Sequence, residues 1–195
     1  MAAAAAARRR QSLRNRALLA VGVVGIMFVV SFVLVSDRRE RNSEAAQFQT
    51  GSCQFDRESD PDAGPGRNHV ANPTFEVDPP AGGDHTAQAS GAGNFTAETA
   101  PPDGQVVHAM EHGFVVLWHR PDLDEQRLIE LRDVALKHPG EALLVPRSSL
   151  TTPVAATAWH VRLLCDGVEA DTLERFITTF ADKGPEKGFV TRIEG

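Results

Sequence analysis

The chain has 195 residues, of which 42% are hydrophobic and 24% charged, and its net charge is −6. That length holds one domain with extensions. Since the first sixteen residues carry five arginines and no acid, an overall charge of −6 leaves the remainder at −11. Acidity on that scale excludes a binder of phosphate backbones, which needs clustered Lys and Arg, so no nucleic-acid partner is expected.

Residues 1–16 form an Ala and Arg tail. Residues 17–36 are uncharged and rich in Val, Leu, Ile and Phe, and at about 1.5 Å per residue they cover roughly 30 Å, the hydrocarbon thickness of a bilayer. A single transmembrane helix is predicted, with membrane lipid as its partner. Arg8, Arg9, Arg10, Arg14 and Arg16 precede it, whereas Arg38, Arg39 and Arg41 after it are offset by Asp37, Glu40 and Glu44. This bias puts the N-terminus in the cytoplasm and the rest of the chain outside the cell membrane. A cleaved signal peptide is the rival reading, but its apolar core is usually about 7 to 15 residues and ends at small residues. Val33-Leu34-Val35-Ser36-Asp37 offers no such site, which favours an uncleaved anchor.

A polar stalk, 37–52, leads to Cys53, which with Cys165 completes the cysteine content. Both fall on the predicted outer side, where disulfides persist, so a bridge is the leading reading. Lipidation of Cys53 is the alternative, although Gln49-Thr50-Gly51-Ser52 lacks an aliphatic lead-in. Residues 53–105 are dominated by Pro, Gly, Asp, Asn and Ala, with no lasting periodicity. Such a stretch is either a disordered spacer or a loop wrapped on a core, with Val70, Phe75, Val77 and Phe95 as its candidate anchors.

Residues 106–195 read as an α+β core. Phe114-Val115-Val116-Leu117-Trp118 is a buried strand stopped by Pro121. Asp122 with Glu125 resembles a capping box, and Leu128, Leu131 and Ala135 recur at helical spacing until Lys137-His138-Pro139-Gly140. A short strand over 142–145 and a longer one over 154–164 follow. Asp171 with Glu174 repeats the cap, before the helical face of Leu173, Phe176, Ile177 and Phe180. The expected fold is therefore a small mixed sheet covered by two helices, with the Pro/Gly-rich loop wrapped on it.

The chemistry gathers in residues 106–119. His108 and His112 are four apart and share a face whether the backbone is helical or extended, while Glu111 lies beside both only on a helix. Two imidazoles on one face suit zinc or copper, for which nitrogen donors are favourable. The alternative is a pair of hydrogen-bonded, half-buried histidines. Further ligands would come from His69 and His85 in the irregular segment, each otherwise a turn residue bonded to local backbone. His138 suits a helix C-terminus, and His119 closes a strand at an exposed position. His108-Ala109-Met110-Glu111-His112 also matches H-x-x-E-H, in which two histidines hold zinc and the glutamate is a general base. That motif needs a sustained helix, which Val106, Val107 and Gly113 argue against; Glu111 could instead orient an imidazole.

Pro79, Pro80, Gly83 and His85, then His108, Glu111, His112 and Gly113, then Thr157, Ala158 and Trp159, together resemble a family of bacterial membrane-anchored proteins of unknown function, common in actinobacteria. Its members carry P-P-T-S-G-x-H, H-x-L-E-H-G and T-A-W-G, and the likeness covers roughly residues 66–182. Ala81-Gly82, Met110 and His160 depart from the pattern. Seventeen arginines against three lysines fit a GC-rich bacterial genome. The resemblance implies an anchored outer domain and draws the proline-rich segment into the folded unit. The resulting expectation is a single-pass, extracytoplasmic domain with a metal site at His69, His85, His108, Glu111 and His112. It competes with a non-catalytic cell-envelope module that binds a protein partner and uses these residues as a structural network, and with a metal-dependent hydrolase.

Overall fold

The computed structural model describes residues 2–49, 51–57 and 68–190. The chain divides into two compact units, Met1–Glu44 and Ala45–Gly195. Helix α1 (Ala2–Phe48) contains Leu19–Ser36, a stretch long and apolar enough to cross a membrane. Single-pass anchors and signal sequences share this property.

The second unit is built on a six-stranded mixed sheet of β1 (Cys53–Asp56), β2 (Gly93–Asn94), β3 (Val115–His119), β4 (Ala142–Pro146), β5 (Val154–Ala158) and β6 (Val161–Cys165). The spatial order is β1-β6-β5-β3-β4-β2. Strands β3 and β4 are parallel and joined through helix α3 (Glu125–Leu136), whereas β3, β5, β6 and β1 pair antiparallel in turn. Every residue of β3 and β5 is buried, as expected where both faces of a sheet are covered.

Side-chain alternation sorts those faces. Val115, Leu117, Ala142, Leu144, Val154, Ala156 and Leu163 point to one, where α3 and helix α4 (Ala170–Phe180) contribute Leu131, Val134, Leu173, Phe176 and Ile177. Phe48 packs there too, its ring 5.2 Å from Phe55 and 5.5 Å from Phe180. Val116, Trp118, Leu143, Val145 and Ala155 point to the other face, covered by helix α2 (Asp103–Glu111) and by Phe75 and Phe95 of the irregular segment. The segment is thus a wrapped loop, and two of its four candidate anchors reach the core.

Several local expectations give way. The stretch 154–164 is not one strand but the hairpin β5 and β6, turned by Trp159 and His160, with His160 at φ 61°. The cap of α3 is Asp124, which accepts from the Arg127 amide at 3.0 Å, while Asp122 is drawn into a pair with Arg120. Helix α4 begins at Ala170 with Glu169 in the cap position, and Asp171 lies in its first turn without capping. His119 is buried at 7% exposure rather than exposed, and its Nδ1 donates to Arg120 O at 2.9 Å. Trp118 Nε1 donates to Thr157 Oγ1 at 2.8 Å, satisfying the indole within the sheet.

Cys53 and Cys165 face each other across β1 and β6 and are joined by a disulfide, 112 positions apart in sequence. Replacing both by Ala is expected to lower unfolding stability by about 2–5 kcal/mol, measured by urea denaturation. Burial, reinforced by the nearby charge of Arg132 and opposed by the Arg120 carbonyl, lowers the pKa of His119 below 6.5. The unfolded chain therefore binds more protons there, so this contribution is whole above 6.5 and declines as pH falls from there to the lowered folded value. Denaturation at about pH 8 and about pH 5 should show a smaller acid loss in His119→Gln than in the wild type.

Candidate metal centre

The site forms where the wrapped loop meets α2. Pro79, Pro80, Ala81, Gly82 and Gly83 are buried, and the loop ends in His85 at 0% exposure. Gly83, at φ 100°, turns its carbonyl back so that His85 Nδ1 donates to it at 2.9 Å. Residues 68–70 lie alongside in a parallel bridge: Val70 N donates to His85 O at 2.8 Å, and His85 N to Asn68 O at 3.1 Å. Asp84 Oδ1 accepts from both the backbone and the side chain of Asn68, at 3.1 and 3.0 Å. This clamp sets the ring of His69 5.1 Å from that of His85.

Helix α2 supplies the rest. His108 and Glu111 are three apart and therefore share a face, while His112 caps the C-terminus. The helix lies close on the loop because Gly104 has no side chain: a Cβ there would come within 2.8 Å of Pro73 and Thr86. That approach lets His108 Nδ1 donate to Thr86 O at 2.8 Å. His69, His85, His108 and Glu111 consequently bring one donor atom each within 4.8 Å of one another. His85, His108 and Glu111 are buried, and His69 stands at the exposed rim.

The protonation pattern follows from these partners. A carbonyl only accepts, so Nδ1 of both His85 and His108 carries the hydrogen, and in the neutral ring Nε2 is a bare lone pair. Burial lowers the pKa of His108 below its ordinary value, the neighbouring His112, His85 and His69 act in the same direction, and the Thr86 carbonyl opposes them. His85 Nε2 lies 3.0 Å from Glu111 Oε2, an ion-pair distance, yet the angle is not that of a hydrogen bond and the nitrogen has no hydrogen-bond partner. We read this as two electron-pair donors side by side. His108 Nε2 differs: it lies 3.1 Å from His112 Nε2 in hydrogen-bond geometry, and with its own hydrogen on Nδ1 it accepts from His112.

His112 stands apart from the group of four, its Nε2 also lying 3.1 Å from Glu186 Oε2. The H-x-x-E-H residues do sit on a helix, but it ends at Glu111, and Glu111 joins the donor group. His160 is held elsewhere, stacked on Trp159 with its amide donating to Ala81 O at 2.7 Å. His138 Nδ1 bonds Glu141 Oε2 at 2.8 Å.

Sequence reasoning missed the residue that braces the site. Arg147 is bound to Asp78 before the proline loop, and to Asp103 at the start of α2 by two hydrogen bonds of 2.6 and 3.1 Å. It also lies over the Trp118 ring at 5.1 Å. Burial works against its charge, but the carboxylates of Asp103 and Asp78 more than offset this and hold its pKa above the ordinary value. The available signal was a lone arginine directly after a buried strand in an acidic domain. Glu186 gave no signal beyond being an acid in a polar tail.

One protein family matches residues 69–192, a span that contains every donor just described. The chain belongs to DUF3105, described as a protein of unknown function. No match was found among curated proteins or solved structures. The matched span takes in the wrapped loop from His69 onward and strands β2 to β6, so that part of the loop belongs to the family's domain.

Arg147→Met keeps the length of the side chain and removes its charge. It should cost about 1–3 kcal/mol of stability by urea denaturation, with faster amide hydrogen exchange in residues 78–86 than in β3.

Proposed function

We propose that this protein is a single-pass, membrane-anchored, extracytoplasmic domain that binds zinc or copper through His69, His85, His108 and Glu111. The observation that carries the reading is the contact of His85 Nε2 with Glu111 Oε2 at 3.0 Å without hydrogen-bond geometry. Two facing acceptors repel unless a proton or a cation lies between them, and the proton of His85 is committed to Gly83 O. A cation answers the problem for the whole group, because His108 also offers a bare Nε2.

Three imidazole nitrogens and one carboxylate oxygen suit a borderline divalent ion. The carbonyls of Gly83 and Thr86 serve as the outer partners that fix each ring and raise its basicity. Four protein donors match the ligand number of closed, structural zinc sites, which favours a binding site over a hydrolase. The arginine excess before residues 17–36 supports an outer location, as does a disulfide that reducing compartments would not preserve.

The second reading is a structural network without metal in a domain that binds an envelope protein. The hydrogen bond between His108 Nε2 and His112 Nε2 and the ion-pair contact of His112 Nε2 with Glu186 Oε2, each 3.1 Å, support it because they occupy those atoms without a metal.

Elemental analysis separates the two. Full chain purified in detergent without a His-tag should hold close to one zinc or copper per molecule. His85→Ala combined with His108→Ala should hold none while retaining the disulfide. A wild type that stays metal-free after reconstitution with either ion would establish the network instead.

A further inference from the structure

We propose that the ion is exchangeable and passes in and out by way of His69, so that the domain takes up a metal and hands it to an acceptor by ligand exchange instead of keeping it as a structural staple. This rests on the metal reading above. The four donors are unequal: His85, His108 and Glu111 are buried, whereas His69 is exposed. The rings of His85 and His108 are each fixed by Nδ1 donating to a carbonyl, at 2.9 and 2.8 Å. Among the described residues no hydrogen bond fixes the ring of His69, which meets the others by ring contact, its centroid 5.1 Å from that of His85 and 4.7 Å from that of His108. By turning about its own side-chain bonds it can leave the ion while the three inner donors stay in place.

The supports of the site do not run through the ion. In a structural zinc site the metal joins segments that nothing else holds, and binding is then folding. Here the segments are already joined. Val70 N donates to His85 O and His85 N to Asn68 O, Asn68 bonds Asp84, Arg147 ties Asp78 to Asp103, and Gly104 lets α2 lie against Pro73 and Thr86. None of these contacts uses a donor atom of the cluster. Loss of the ion therefore leaves three fixed donors in a folded site, ready to be loaded again. Since His85 is at 0% exposure and backed by Trp159, with ring centroids 6.0 Å apart, an incoming ligand reaches the ion at the rim, where His69 stands. There a nitrogen or sulfur lone pair of the acceptor bonds to the ion as the bond from His69 breaks. The ion keeps its oxidation state, and the freed imidazole returns to water.

The test follows transfer to a chromogenic chelator, 4-(2-pyridylazo)resorcinol. Full-length protein in detergent, with its disulfide intact, is loaded with one equivalent of zinc or copper, whichever it holds, and wild type is compared with His69→Ala. The wild type should give up its ion at a rate that rises with chelator concentration, while tryptophan fluorescence stays native throughout. His69→Ala should still bind the ion through the three inner donors, about a hundredfold more weakly, and transfer it about tenfold faster at the same chelator concentration. Release from the wild type that is independent of chelator and accompanied by unfolding would show a structural staple and overturn the proposal, as would a His69→Ala variant with unchanged affinity and transfer rate; both leave the metal reading standing. Wild type that binds neither zinc nor copper overturns both.

Discussion

The guanidinium of Arg147 carries the part of the structure that regular hydrogen bonding cannot. Sheet and helix ladders satisfy their own backbone groups, but a buried loop of prolines and glycines has no ladder and must be tied by side chains. Arg147 extends from the end of β4 to Asp78 at the mouth of that loop and to Asp103 at the start of α2, with Trp118 beneath it. One cation thereby joins sheet, loop and helix at the junction where His85 meets His108 and Glu111. An arginine suits the position better than a lysine, because its planar fork can hold two carboxylates while its face lies on a ring.

Burial gives the donor group its character. Imidazoles and a carboxylate are removed from water by a loop that offers only carbonyls in exchange, and carbonyls can bind no more than the Nδ1 hydrogens. The Nε2 lone pairs are left facing one another and Glu111. Such an arrangement is costly when nothing lies between the donors, and the proposed cation is what would relieve that cost. The same geometry separates His112 from its neighbours. As the cap of α2 it stands at the rim, within reach of both His108 and Glu186, where the tail crosses over Glu111 and Gly113.

The gathering of His69 with His85 shows how irregular backbone can be as exact a scaffold as a helix. Their bridge is parallel and short, and the Asn68 contacts with Asp84 hold its register. Nothing in the local sequence pairs them, since turn-forming residues set the course of the loop but not its partner.

By itself the sequence determined the apolar helix, the buried strand ending in Trp118, the inward faces of α3 and α4, and the pairing of the two cysteines. Each depends on neighbours in the chain, on a period of two or 3.6, or on there being no other partner. The shared face of His108 and His112 was legible because an offset of four aligns them on a helix or a strand, whereas Glu111 joins His108 only if the segment is helical. Only the tertiary structure decided that residues 103–111 are helical, because their hydrophobic positions are read correctly only against the loop that covers them. It also decided that Asp124 rather than Asp122 caps α3, since Arg120 claims the other acid. The roles of Arg147 and Glu186 belong to the tertiary structure alone. Their partners are tens of residues distant, and a long-range contact between charged side chains leaves no period in the chain to be read.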